Sequence, residues 1–239
     1  MSANQPAARP RGRPAQPTMR PWYRFCRHVC QALYILLFRG RVFGTRNVPR
    51  DGGVLLVCNH QSFLDPVLAT LALPRECHYM ARHTLFEDPR FRRLIESLNA
   101  FPIKRGTADM GAIRETLRRL KAGHLVVTFP EATRTHDGSV SGLAPGIVLL
   151  ARRAGVPVVP GMILGAFESW PRHARFPRPR PIIMAYGEPL SPALLQELDD
   201  DTCIRMVRER IVALVERYRR HPLLAECPPP THISAGRRA

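Results

Sequence analysis

The sequence predicts an α/β protein with a mixed, mostly parallel sheet flanked by helices, and two observations predict it. Short apolar runs bounded by turn residues recur along the chain. Val54-Leu55-Leu56-Val57-Cys58 follows Asp51-Gly52-Gly53, Leu125-Val126-Val127-Thr128-Phe129 follows Gly123, and Ile182-Ile183-Met184-Ala185-Tyr186 follows a proline-rich stretch. These runs alternate with segments whose apolar residues fall at helical spacing, the cadence of βαβ units. With 239 residues, 45% of them hydrophobic, the chain can bury one sizeable core.

Taken in order, the first helix runs from 22 to 38, with Trp22, Phe25, Val29, Leu33, Leu36 and Leu37 at helical spacing. After the strand at 54–58 comes a helical pattern over 66–73, then a short strand at 78–80, a helix at 89–98 and a strand at 101–103. Ile113, Leu117 and Leu120 share one face of a helix over 109–121, and Gly123 stops it before the strand at 125–129. A helix over 143–154 closes at Gly155. The strand at 156–160 is expected to be interrupted at Pro160. A basic, proline-rich connection at 172–181 leads to the strand at 182–186, and the last helix, 204–218, carries Ile204, Val207, Ile211, Leu214 and Val215 on one face. Residues 1–18 and 221–239 lack apolar periodicity and read as tails, leaving a helix at 19–40 and a domain at 41–220.

The net charge is +17, and the first fifty residues hold ten arginines and no acidic residue. The only lysines are Lys104 and Lys121, so the charge is almost wholly guanidinium, which suits bidentate phosphate contacts. Both a nucleic acid and an anionic membrane fit that charge. The 22–38 helix has arginines at 20, 24, 27, 39 and 41 around it, as an interfacial helix would; an amphipathic helix packed on the core fits the same pattern. Its uncharged run, 29–38, is far short of the roughly 20 apolar residues that span a bilayer, so attachment is expected to be monotopic. No secretory signal pattern is evident, and cysteines at 26, 30, 58, 77, 203 and 227 show no Cys-x-x-Cys spacing. Reduced thiols, a cytosolic setting and no metal site are therefore expected.

Chemistry is concentrated at predicted strand ends. Asn59-His60-Gln61-Ser62-Phe63-Leu64-Asp65-Pro66 places a histidine and a carboxylate five residues apart at a strand exit. Imidazole can take a proton from a substrate hydroxyl near neutral pH, and a carboxylate on one ring nitrogen fixes the tautomer and stabilises the imidazolium. Asp65 before Pro66 equally fits an ordinary helix cap, as does Ser62 with Asp65. Lys104, Arg105 and Gly106 precede a helix that Thr107 or Asp109 can cap, which fits a phosphate site and equally a solvated charged loop. In Phe129-Pro130-Glu131-Ala132-Thr133-Arg134, Glu131 can bind a hydroxyl or brace arginines and Arg134 can take a phosphate, while a local Glu131–Arg134 ion pair that only shapes the loop fits the same residues. Gly155-Val156-Pro157-Val158-Val159-Pro160-Gly161, with no ionisable side chain, fits an apolar wall beside the other segments or, more commonly for such a run, a buried core strand.

In this order and spacing, the four segments resemble the blocks of the 1-acyl-glycerol-3-phosphate (lysophosphatidic acid) acyltransferase family over roughly residues 40 to 190. The resemblance implies a glycerolipid acyltransferase-like fold and a peripheral or monotopic enzyme on the cytoplasmic face of the membrane, held by anionic lipids. It would move an acyl group from acyl-CoA or acyl-carrier protein to the free hydroxyl of a lysolipid acceptor, with no cofactor, no metal and no specific nucleic acid. His60 would be the general base and Asp65 its orienter. Asn59, Lys104, Arg105, Gly106, Glu131, Thr133 and Arg134 would bind substrate, with Arg105, Glu131 and Arg134 at the acceptor's headgroup. The chain departs from the family at Ala132, where relatives have glycine. It also lacks the lysine often found before the glycine in Leu143-Ala144-Pro145-Gly146, and has Arg82 where lysine is common. Another acceptor, such as a lyso-ornithine lipid, fits the same base and thioester. A noncatalytic basic module that binds membrane or nucleic acid is the reading from a different class.

Overall fold

The computed structural model describes residues 19–104, 109–131, 133–144, 146–172 and 174–225. Its strands are β1 (Arg41–Phe43), β2 (Val54–Cys58), β3 (Cys77–Arg82), β4 (Ala100–Ile103), β5 (Leu125–Thr128), β6 (Val158–Leu164) and β7 (Ile183–Tyr186). Its helices are α1 (Pro21–Phe38), α2 (Asp65–Leu68), α3 (Pro89–Ser97), α4 (Met110–Lys121), α5 (Gly146–Ala154), α6 (Ala166–Ser169), α7 (Pro192–Glu197) and α8 (Asp200–Tyr218). The strands form one sheet in the order β1-β7-β6-β2-β5-β3-β4, parallel throughout except where β6 meets β7. The expected mixed, mostly parallel α/β fold is therefore present.

A central parallel strand must be apolar on both faces, and β2 divides its side chains between two layers. Leu55 and Val57 join a core with Val158, Met162 and helices α5 and α8, while Val54, Leu56 and Cys58 join another with Val159, Ile163 and Tyr34 and Phe38 of α1. All five β2 side chains are fully buried. Close packing fixes Gly161 beside β2, since a Cβ there would lie 2.5 Å from the Cys58 sulfur. Asp88, Asp109 and Asp199 cap α3, α4 and α8 by accepting N–H groups three residues on, each worth about 1 kcal/mol.

Several boundaries differ from the sequence expectation, each for a physical reason. The helix expected over 66–73 keeps one regular turn, α2; beyond it Thr70 and Leu73 donate to carbonyls three residues back, and Pro74 follows. Pro160 does not interrupt β6. Three steps along β6 from Val158 to Gly161 face four from Tyr186 to Leu190, so a bulge lies opposite Pro160, where its missing N–H goes unused and its carbonyl accepts the Gly187 N–H. The 143–154 helix begins only at Gly146, and the last begins four residues early at Asp200. Strand β1 and helices α6 and α7 are additional. Packed chain also continues past 220: Pro222–Leu224 form a 3-10 turn, His221 meets the Phe43 ring, and Leu224 enters the core.

Helix α1 packs one face on the core and leaves an apolar row exposed. Tyr23, Tyr34 and Phe38 pack inward, and the Tyr34 hydroxyl bonds the carbonyls of Arg41 and Ile182. Trp22, Phe25, Val29, Leu33 and Leu36 remain exposed, Leu36 at 76%. Among the described residues, no helix is long and apolar enough to cross a membrane.

Candidate active site

Ligand sites in open α/β sheets form beyond the carboxyl ends of the strands, and here β2 ends between its parallel neighbours β5 and β6. The chain leaving β2 carries His60, and α2 begins at Asp65. His60 Nδ1 and Asp65 Oδ2 are 2.7 Å apart, with His60 nearly and Asp65 wholly buried. The same carboxylate oxygen accepts the N–H groups of Gln61 (2.5 Å) and Ser62 (2.7 Å). Asp65 is thus not the helix cap that sequence also allowed; Leu64 holds that position, and Asp65 instead ties the turn to the imidazole. Burial pushes the Asp65 carboxyl up, against the pull of His60 and the Ser62 and Gln61 amides. Because Asp65 Oδ2 already accepts two amides, Nδ1 is the ring nitrogen that donates to it, and Nε2 is left without a bond to Asp65.

The loop after β5 grips the His60 backbone from both sides. Glu131 Oε1 accepts the His60 N–H (3.1 Å), and Thr135 donates its N–H to the His60 carbonyl (2.8 Å). The His60 ring stacks on Phe129, centroids 4.5 Å apart. Glu131 is buried, and desolvation raises it to about 7 against the pull of the His60 and Ser141 amides. Its carboxylate therefore braces His60 directly, a third role beside the two the sequence offered. Thr135 and Phe129 were not among the predicted site residues; their flanking position beside Glu131 was the available signal.

The other predicted residues divide. Asn59 was expected to bind substrate, but it is fully buried and both ends of its amide are engaged by Ile163: Nδ2 donates to the carbonyl (2.9 Å) and Oδ1 accepts the N–H (2.8 Å). It locks β2 to β6, because the end of a central strand leaves that backbone otherwise short of partners. Arg134 does reach the site, its guanidinium 3.4 Å over the Phe63 ring. Phe63 in turn contacts Trp170, centroids 5.3 Å apart, and neither aromatic was anticipated. Thr133 is exposed in the tight turn that its N–H closes onto the Glu131 carbonyl. Lys104 is exposed at the end of β4, its N–H held by the capping carboxylate of Asp109. Arg105, Gly106, Thr107, Ala132 and Pro145 lie outside the described residues.

A cavity of about 520 Å³ is lined by Phe63 and Pro66 of the His60–Asp65 turn and the segment after it, by Trp170, and by residues of α1 and β3. Tyr23, Cys26, Val67 and Leu85 are among its largely apolar walls. The His60–Asp65 pair thus stands between an arginine-bearing loop and an apolar chamber, an arrangement suited to moving an acyl group onto a polar hydroxyl.

The family model described as Acyltransferase matches residues 39–164. The chain belongs to the acyltransferase family. This acyltransferase is 27% identical over 195 residues to the 1-acyl-sn-glycerol-3-phosphate acyltransferase of Bacillus subtilis, covering 81% of the chain and 92% of the relative. It is 28% identical to the enzyme of the same name from Streptococcus pneumoniae, covering 72% of the chain and 63% of that protein. Among solved structures, the 1-acyl-sn-glycerophosphate acyltransferase PlsC from Thermotoga maritima superposes with a TM-score of 0.73 at 26% identity, covering 83% of this chain and 80% of that one. The protein is an O-acyltransferase, and a purely binding role for its basic surface is set aside.

Proposed function

We propose that this acyltransferase transfers a fatty acyl group from acyl-CoA or acyl-carrier protein to the free hydroxyl of 1-acyl-glycerol-3-phosphate, giving phosphatidic acid. The observation that carries the reading is the buried 2.7 Å contact between His60 Nδ1 and Asp65 Oδ2 at the sheet's carboxyl edge. His60 Nε2 takes the proton of the acceptor hydroxyl as its oxygen attacks the thioester carbonyl. The tetrahedral intermediate collapses, breaking the carbon–sulfur bond, and the imidazolium returns its proton to the departing thiolate. Asp65 neutralises the imidazolium in between, and no serine nucleophile or metal takes part. General base catalysis of this kind contributes roughly 10² to 10⁴ in rate.

Arg134, with Lys104, Arg105, Gly106 and Thr133, binds the acceptor's phosphate; Glu131 and Asn59 act indirectly, by holding His60 and its strand. The apolar chamber receives an acyl chain. The exposed apolar face of α1, flanked by arginines, attaches the enzyme peripherally to the cytoplasmic face of an anionic membrane. Positioning hydroxyl and thioester together at that surface contributes up to about 7 to 11 kcal/mol.

The test is turnover of acyl-CoA with 1-acyl-glycerol-3-phosphate by purified protein. Full activity in His60→Ala would sink the mechanism. Ala132, in place of the family's glycine, favours a second reading in which another lysolipid, such as a lyso-ornithine lipid, is the acceptor. A panel of acceptors presented at equal concentration separates the two by their kcat/KM.

A further inference from the structure

The segment from 171 to 181 reads Pro-Arg-His-Ala-Arg-Phe-Pro-Arg-Pro-Arg-Pro and contains no carboxylate. The reaction as described makes no use of it. Both of its ends are fixed next to α1. Trp170, which precedes it, lines the apolar cavity together with Cys26 and Cys30 of α1. Ile182, which follows it, donates its N–H to the Phe38 carbonyl (3.0 Å) and accepts the Tyr34 hydroxyl (3.0 Å) at the far end of the same helix.

Between these anchors the backbone is folded on itself. Ala174 donates its N–H to the Pro171 carbonyl, the Trp170 indole N–H bonds the Ala174 carbonyl (3.0 Å), and Arg178 donates its N–H to Ser169 (2.7 Å). The result holds the Phe176 ring outward, 71% exposed, with the Arg175 guanidinium 5.6 Å from its centroid. Arg172, Arg175 and Arg178 are all exposed as well. One exposed phenyl ring is ordinary on a protein surface. Here it has the Arg175 guanidinium over it and exposed arginines two residues on and four residues back in sequence, and the turn that carries it is anchored beside the helix whose apolar row also faces solvent.

We propose that the 171–181 turn is a second bilayer-contact element, seating Phe176 at the headgroup boundary while Arg172, Arg175 and Arg178 bind lipid phosphates. The proposal rests on the interfacial reading of α1 and deepens it. One helix lying on a bilayer leaves the body free to roll about the helix axis. A second contact beside Trp170, in the cavity wall, removes that freedom and keeps the Phe63 and Trp170 side of the cavity against the lipid that supplies the acceptor. Forked guanidinium groups suit phosphate, and an exposed aromatic among them suits the amphipathic boundary layer. An acidic protein surface would match the charges but leave Phe176 without a partner, so the bilayer fits the segment better.

The test is co-sedimentation of the full chain with vesicles of phosphatidylcholine alone or mixed with phosphatidylglycerol. Arg175→Gln/Arg178→Gln is expected to weaken binding to the anionic vesicles by about fivefold per arginine and to leave neutral vesicles unaffected. Phe176→Ser is expected to weaken binding to both by about fivefold or more. With detergent-dispersed lysolipid, kcat should stay at the wild-type value for both variants, with circular dichroism matching wild type. If both variants sediment like wild type while Leu36→Ser in α1 releases the protein, the turn is no bilayer contact and the proposal fails, although the reading of α1 stands. If wild type itself stays in solution with either vesicle, the interfacial reading fails and takes the proposal with it. A raised KM for an acyl-carrier-protein donor, with sedimentation unchanged, would overturn the proposal in favour of carrier docking.

Discussion

Replacing Asp65 with Asn removes a charge while keeping the side chain's shape. Three donors meet at one oxygen: His60 Nδ1–H at 2.7 Å, Gln61 N–H at 2.5 Å and Ser62 N–H at 2.7 Å. The second oxygen, Oδ1, has no hydrogen-bond partner and the residue is fully buried. Asn must put its carbonyl oxygen where the donors converge, because its NH₂ group there would face all three. The imidazole stays oriented, and what disappears is the negative charge opposite the imidazolium. Losing both tautomer and charge in a comparable pair costs about 10⁴ in kcat. With the tautomer kept, a loss of about 10² to 10³ is expected, equivalent to roughly 3 to 4 kcal/mol of barrier. The NH₂ group left buried without a partner costs about 1 to 3 kcal/mol of stability, offset in part by relief of a desolvated carboxylate. The assay is free-CoA release at saturating acceptor for Asp65→Asn, His60→Ala and the double variant. KM should hold for both substrates, and the double variant should match His60→Ala, since residues acting as one unit are not additive. Activity of Asp65→Asn within about tenfold of wild type, a smaller loss than one general base supplies, would refute the reasoning. So would a double variant far slower than His60→Ala.

Further outcomes follow from other parts of the site. Burial raises Glu131 to about 7 from its ordinary value near 4.5, so its contribution to stability is complete below the lower value and lost as pH climbs through the higher. The difference is worth up to about 3 kcal/mol, and Glu131→Gln should flatten it in denaturant unfolding followed from acid to mildly basic pH. Arg134→Lys should raise the KM for a phosphate-bearing acceptor by about tenfold with little change in kcat, because an ammonium lacks the planar fork and the stacking on Phe63. Ala81→Phe places a ring in the cavity wall and should shift acyl-CoA preference toward shorter chains, by about fourfold in kcat/KM per methylene excluded. Gly161→Ala drives a methyl group into the Cys58 sulfur, and urea titration should register a loss of about 1 to 3 kcal/mol.

Much of the fold is legible where burial alone dictates the residues. Strand β2 is read because covering both faces of a parallel strand demands an unbroken apolar run. Pro160 misled because a sequence does not say which neighbour a residue's backbone nitrogen faces, and here the proline nitrogen, which has no hydrogen to donate, faces a bulge. Strand β1 escaped notice because three residues carry no period, and only pairing with β7 makes them a strand. The site divides the same way. The His60–Asp65 spacing lies within one turn and is visible, as is the family pattern around it. That Asn59 serves Ile163, that Glu131 serves the His60 amide, and that Arg134 covers Phe63 all depend on strands adjacent in space and distant in sequence.

The His60–Asp65 contact spans five residues, whereas the hydrogen bonds that steady it reach 71 residues to Glu131 and 104 to Ile163. The pair's geometry is consequently encoded in a single tight turn with almost no loop to close, and the rest of the sheet has only to hold that turn still. Under the proposed mechanism, catalysis and selection of the acceptor are then separable in the chain. The loops after β4 and β5 can change composition to admit a new headgroup while the proton-transfer turn is inherited intact, provided each replacement keeps one acceptor under the His60 amide.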